Sequence, residues 1–387
     1  MTRVARSLRI LVSGRIAATP YQGGATWAVL QYLLGLRGIG HDVWFVEPVP
    51  AAQIVPSGAA LACSVNARYA LEVLSSFGLA GRCAVIAEGT THAVGLDYQS
   101  LATTRFDVFV NLSGSLRDPE LTDRIPVRIY VDLDPGFTQV WHGLDGHDLG
   151  LDGHTHFATV GCGVGTPDCP VPTGEIQWHH TVPPVVLSHW APDATITRVA
   201  MTTVANWRSY GSTECDGVAY GQRAHSFRAF FDLPHRTAVA LAPALAIDPG
   251  EIDDLAALAA GGWSLVDPSV VARTPRAYRR FVRSSRGELS IAKSGYVASR
   301  SGWFSDRSAC YLASGRPVVA QDTGFGRCVP TGAGLLTFST LDEAAEALAR
   351  VDADYARHAA GARQIAIDTF ESGRVLTDLL EHAGVAA

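Results

Sequence analysis

The sequence predicts an α/β protein built as two parallel-sheet halves, and three observations carry that prediction. At 387 residues the chain exceeds what one ordinary core holds, so two domains of about 150 to 200 residues each are expected. Near its start an apolar strand, a glycine-containing loop, an amphipathic helix and a second strand follow one another, which is a β-loop-α-β unit. The same order returns between Glu288 and Phe325. Strands that alternate with helices form parallel sheets, and ligands collect beyond the carboxyl ends of such strands.

Composition narrows the function classes. The chain is 47% hydrophobic and 18% charged, as in a globular enzyme, and its net charge of −6 with no long basic run argues against nucleic acid as a partner. No apolar run reaches the roughly 18 to 20 residues needed to span a bilayer. The amino terminus places basic residues before the apolar run Leu8–Val12, but that run is short and ends in Ser13-Gly14-Arg15, as a first buried strand would rather than a signal peptide. Seven scattered cysteines with no C-x-x-C pair suit reduced thiols and a cytoplasmic location. Lys293 is the single lysine among 31 basic residues.

In chain order, the strand Leu8–Val12 leads through a loop with Gly23-Gly24 into a helix over Ala25–Leu36, where Trp27, Leu30, Leu33 and Leu34 recur at helical spacing and Gly38 and Gly40 end it. The strand His41–Glu47 follows. Glu47 sits where a ribose-binding acid would in a dinucleotide fold, but the G-x-G-x-x-G fingerprint is missing, which argues against NAD. Residues Asn66–Phe77 predict a helix, and Cys83–Ile86, Phe106–Leu112 and Val127–Val131 predict buried strands. The last of these delivers Asp132-Leu133-Asp134-Pro135-Gly136 to its carboxyl end. Asp132 and Asp134 are therefore candidates for a general base or a ligand-orienting acid; a D-x-D chelating a divalent cation and a plain Asp-Pro turn are the alternatives. Seven of the 13 histidines fall between Trp141 and Trp190. Of these, His154 and His156 are candidate acid or base groups; a zinc site with Cys162 lacks the expected ligand spacing.

A linker is expected over Ala191–Thr197. The second half opens on the strand Thr202–Ala205 and the polar loop Asn206–Gly211 with Arg208. A helix carrying Phe227, Phe230 and Phe231 is expected to be core, followed by the strand Val239–Ala242, a helix over Asp253–Ala260, a strand and turn over Trp263–Pro268 and an arginine-rich solvated helix over Pro275–Ser284. Between Glu288 and Phe325 come the strand Leu289–Ala292, a loop rich in Gly, Ser and Arg, a helix opening at Ser305-Asp306 and ended by Gly315, the strand Pro317–Ala320, and the loop Gln321–Phe325. A helix start offers free N–H groups and a positive dipole end, so such a loop is suited to phosphate. An edge strand at Gly334–Phe338, an acidic helix over Leu341–Val351 and two final helices around Asp354–Phe370 and Ser372–His382 complete the chain.

The segment Ser301 to Val319, with a loop, a helix ending A-x-G and a strand reading x-P-V-V, resembles the donor-binding segment of nucleotide-sugar glycosyltransferases of the GT-B type. In the first half, the loop Tyr21-Gln22-Gly23-Gly24 and the "G-H-x-V" strand Gly40-His41-Asp42-Val43 are similar too. The motifs cover about 70 residues and the layout nearly all of the chain. The usual Glu of the donor helix is replaced by Cys310, and the H-x-G-x-x-S-x-x-E signature is absent. The resemblance implies two Rossmann-like domains facing a cleft: an acceptor-binding domain over residues 1–195, a donor-binding domain over 196–365, and a carboxyl-terminal helix over 366–387 packing back on the first. It implies a nucleotide-diphosphate sugar as co-substrate, held by Arg208, Lys293, Arg300, Ser305, Asp306, Arg307, Asp322, Thr323 and Gly324, with no cofactor and no essential metal. Gly23 and Gly24 would face a small soluble acceptor, and Asp132, Asp134, His154 or His156 would supply the base. A role in specialised-metabolite, antibiotic-type biosynthesis is the expected setting, and a homodimer is left open. The competing expectations are a nucleotide-sugar epimerase or phosphorylase, and a non-catalytic partner that binds a nucleotide sugar.

Overall fold

The computed structural model describes residues 7–143, 146–192, 195–215 and 217–385. The first half is one eight-stranded sheet. Its strands are β1 (Arg9–Ser13), β2 (Asp42–Val49), β3 (Cys83–Ala87), β4 (Ala93–Gly95), β5 (Val108–Leu112), β6 (Val127–Asp132), β7 (His156–Thr159) and β8 (His179–His180), in the order β4-β3-β2-β1-β5-β6-β7-β8. Every pairing is parallel except that of β4 with β3. The strands are continuous apolar runs because helices cover both faces; Ile10, Val12, Val110 and Val131 are fully buried.

The second half begins with β9 (Arg198–Thr202), β10 (Val204–Asn206), the hairpin β11 (Thr213–Cys215) and β12 (Val218–Tyr220), and β13 (Ala244–Ala246). It continues with β14 (Ser285–Ser290), β15 (Val318–Gln321) and β16 (Leu335–Phe338). Its main sheet is parallel with the order β16-β15-β14-β9, and β10 pairs with β13. The strand expected over Val239–Ala242 is displaced to Ala244–Ala246. Pro243 has no N–H to give a ladder, so only Leu241 pairs before it, in an isolated bridge to Met201. The expected loop after β14 contains a helix, Ser294–Ser299, and the short hairpin β11–β12 adds a feature that no apolar period marks. The linker expected over Ala191–Thr197 falls partly outside the described residues.

The helix Gly23–Gly38 joins the two halves. It has no side-chain cap, and its first N–H donates instead to the carbonyl of Ala272 in the second half at 2.7 Å. Trp27 Nε1 donates to the carbonyl of Pro275 at 2.8 Å. On its other side Gly35 lets the carboxyl-terminal helix Ser372–His382 approach: a Cβ there would stand 2.5 Å from Leu376 Cδ1. In the arginine-rich helix Pro275–Ser284, Tyr278, Phe281 and Val282 are buried while Arg276 and Arg280 stay exposed.

Candidate active site

The carboxyl ends of both parallel sheets open toward the junction of the halves, and two neighbouring cavities lie there. The larger, about 460 Å³, is lined by Tyr21, Gly23 and Gly24 of the first half and by Asn206, Arg223, Tyr278, Asp306 and Arg307 of the second. The smaller, about 110 Å³, lies between Gln31, Tyr32, Leu133 and Val160 on one side and Trp303, Phe304 and Asp306 on the other. Asp306 and Ala28 line both.

Two buried guanidinium groups face the larger cavity. Arg307 is engaged by the protein: it pairs with Glu288 and donates to the carbonyl of Val204 at 3.0 Å and to Ser290 Oγ at 2.9 Å. Arg223, 5% exposed, is different. Its Nε and Nη1 are enclosed and have no hydrogen-bond partner. Burial, and then the charge of Arg307, pull its pKa down to about 9. An anion in the cavity would relieve both penalties.

Asp306 opens the helix Asp306–Ala313, with Ser305 as the preceding cap residue. Burial raises its pKa, opposed by the charge of Arg307 and by backbone N–H groups of the helix start. Close by, the Tyr32 hydroxyl is buried in the wall of the smaller cavity without a partner. The helix Asp306–Ala313 therefore brings one acid to the border of the two cavities, while a phenol of the first half faces the smaller one.

The other expected residues are placed as follows. Asp132 is fully buried, and its carboxylate accepts from Asp134 N (2.9 Å), Thr138 Oγ1 (2.7 Å), Gln139 Nε2 (2.9 Å) and Thr159 Oγ1 (2.7 Å). It organises the turn after β6 and is no base facing the cleft. Asp134 crosses the junction, accepting from Tyr210 and Tyr296 hydroxyls and standing 3.4 Å from Lys293 Nζ. Lys293 lies over the Tyr210 ring at 3.9 Å, so this lysine and acid fasten the two halves within an aromatic cluster.

His154 and His156 are not at the cleft. In the parallel ladder His156 pairs with Ile129, three residues before the carboxyl end of β7 at Thr159, which is about 10 Å back along the strand. His156 lies near His382 of the last helix, and His154 is held between Asn111 Nδ2 (3.2 Å) and the carbonyl of Leu151 (3.0 Å). The zinc set with Cys162 is not assembled: among the described residues no group of three or more His, Cys, Asp or Glu side chains converges. Glu47 accepts from the N–H groups of Ile16, Ala17 and Ala18 at 2.7–2.8 Å, so it fixes the loop before the first helix and leaves no oxygen for a ribose.

Gly23 and Gly24 do line the cavity, but the Gly23 N–H is taken by Ala272, and Gly24 sits against the Tyr278 ring. Arg208 is paired with Glu251 at the surface. Exposed Arg300 stands 3.9 Å from Asp322, whose carboxylate also accepts from Gly324 N at 2.8 Å. Thr323 is buried and donates to the carbonyl of Trp303 at 2.6 Å. These three residues, Asp322 to Gly324, knit the loop before the helix Asp306–Ala313 rather than presenting groups to a sugar. Arg223 and Tyr32 carry no local signal in the sequence: one follows an ordinary Gly-Gln pair and the other sits in an apolar helix, and only tertiary packing isolates them.

No family model and no curated protein matches the sequence. Solved structures do match over nearly the whole chain. AviGT4, a glycosyltransferase involved in Avilamycin A biosynthesis, is 13% identical with a TM-score of 0.55, covering 97% of both chains. The fold is that of GT-B glycosyltransferases. Anabaena Alr3699/HepE, solved with UDP-glucose, is 10% identical with a TM-score of 0.58, covering 97% of this chain and 99% of the other. An alpha-glucosyltransferase solved with UDP and a DNA 13-mer is 12% identical with a TM-score of 0.58, covering 98% and 99%. Among the described residues no helix is long and apolar enough to cross a membrane.

Proposed function

We propose that the protein transfers a glycosyl group from a nucleotide-diphosphate sugar to a small soluble acceptor, in antibiotic-type specialised metabolism. The observation that carries this reading is Arg223: an enclosed guanidinium with two unpartnered nitrogens, on a residue that lines a cavity of about 460 Å³ between the halves of a GT-B fold. A departing diphosphate needs compensating charge in a site that excludes water. Arg223 and the N-terminus of the helix Asp306–Ala313 supply it from the protein alone, so turnover is expected to persist in EDTA. AviGT4, a glycosyltransferase of avilamycin biosynthesis, has the same fold and supports the setting.

The acceptor occupies the smaller, largely apolar cavity with its hydroxyl toward Asp306 and Tyr32. An acid whose pKa is raised by burial can take the acceptor's proton as the sugar bond to the diphosphate breaks. Arg307 positions the donor helix by tying it to Glu288. The test is a thermal-shift panel of UDP, GDP, ADP, dTDP and CDP sugars, followed by transfer assays with the sugar that binds. One of them should raise the melting temperature of the wild type and not that of Arg223→Ala. If none shifts it, or if donor is consumed only by hydrolysis or by free phosphate, the proposal fails.

A further inference from the structure

Away from both buried charges, the seam between the halves holds a pair of thiols. The first half contributes the loop Gly161-Cys162-Gly163-Val164-Gly165, which follows β7, and the second contributes residues Arg300–Trp303 and the turn Phe325–Arg327. The loops meet closely. Gly163 N donates to the carbonyl of Ser301 at 2.8 Å, Gly161 bridges to Trp303, and Asp168 pairs with Arg327. A Cβ on Gly163 would stand 2.2 Å from the carbonyl oxygen of Arg300, so the approach depends on that residue having none.

Cys162 and Cys328 lie on opposite sides of this seam and converge on one carbonyl. Cys162 Sγ is 3.9 Å from the oxygen of Phe325, and the backbone N–H of Cys328 donates to that same oxygen at 3.0 Å. Each thiol shifts the other: Cys328 raises the pKa of the Cys162 thiol, and Cys162 lowers that of Cys328. Cys162 is buried and Cys328 is exposed. We propose that Cys162 and Cys328 form an interdomain disulfide when the protein meets a hydroperoxide, and that this cross-link holds the cleft shut.

The chemistry divides between the two sulfurs. The neighbouring Cys162 thiol, and then the charge of Arg327, favour the thiolate at Cys328, while Cys328 and burial keep Cys162 protonated. The Cys328 thiolate attacks one peroxide oxygen; a sulfur–oxygen bond forms, the oxygen–oxygen bond breaks, and hydroxide leaves as the sulfur is oxidised to a sulfenic acid. Cys162 then attacks that sulfur. The sulfur–sulfur bond forms, the sulfur–oxygen bond breaks, and the departing hydroxide takes the Cys162 proton as water. The lining residues Val160 and Trp303 of the smaller cavity flank the cross-link, so a bond there fixes the walls that must part for ligands to exchange.

The test needs no ligand and stands apart from the glycosyl-transfer reading. The full-length protein is reduced, treated with hydrogen peroxide, and digested for mass spectrometry without reductant. A single linked peptide joining Cys162 to Cys328 is expected, lighter than its parts by two hydrogens and lost on treatment with dithiothreitol. Cys328→Ser, a change at an exposed side chain, should give no linked peptide. Hydrogen exchange at Gly163 and Gly302 N–H should slow by about tenfold on oxidation and recover on reduction. Cys328 running on to sulfinic acid without a link, a link between other cysteines, or unchanged exchange across the seam would each overturn the proposal.

Discussion

The two halves of the molecule treat their buried charge in opposite ways. In the first, Glu47 has three backbone N–H donors and Asp132 has four donors, and both are locked into loop geometry. In the second, Arg307 is also locked, but Arg223 and Asp306 face the cavities, Arg223 with two nitrogens unbonded. Since an unsatisfied buried ion costs stability, a fold keeps one where a ligand completes it. The lesson is that charge type and burial do not separate a scaffold residue from a ligand-binding one; the inventory of partners does.

Substitutions sharpen this contrast, and the largest effect belongs to Arg307. Arg307→Ala strands Glu288 in the core and should lower unfolding free energy by about 3–5 kcal/mol in urea titrations, whereas Arg223→Ala should leave stability unchanged or higher. Equal losses in the two variants would erase the distinction. Glu47→Gln deprives up to two buried amides of their acceptor and should cost about 1–3 kcal/mol.

Glu47 also gives a pH signature. Burial, opposed by the three amides, lifts its pKa from 4.5 to about 7. Its contribution to stability is therefore complete below about pH 4.5 and is lost as pH rises through about 7, so melting curves of Glu47→Gln should lack that decline. For Asp306, also raised, the charged form is the costly one. Asp306→Asn should be as stable as the wild type or more so at pH 8, while glycosyl transfer falls by at least about a hundredfold. The smallest effect is expected at His154 and His156, where replacement by Ala should leave turnover within about twofold because neither reaches the cleft.

The fold was legible where the hydrophobic period is long and unbroken. The helix Gly23–Gly38 and the strands β1, β2, β5, β6 and β15 all lie where apolar spacing placed them, and the Ser301–Val319 segment carried the GT-B resemblance. Short elements were not legible. The hairpin β11–β12 and the helix Ser294–Ser299 are too brief to show a period, and Pro243 moved a strand that composition alone put earlier. At the site, Asp306 and Arg307 could be expected from the helix start, but their different duties could not, because those depend on Glu288 and Ser290 of a neighbouring strand. His154 and His156 misled for a related reason: residue type suggested chemistry, while strand register placed them away from the cleft.

The central claim is that Arg223 is the cation held free for a diphosphate. Calorimetric titration of UDP into the wild type and into Arg223→Ala, at matched ionic strength, tests it most directly. The account predicts binding to the wild type that weakens by at least about tenfold in the variant, with no loss of stability. Equal affinity in the two proteins would contradict it.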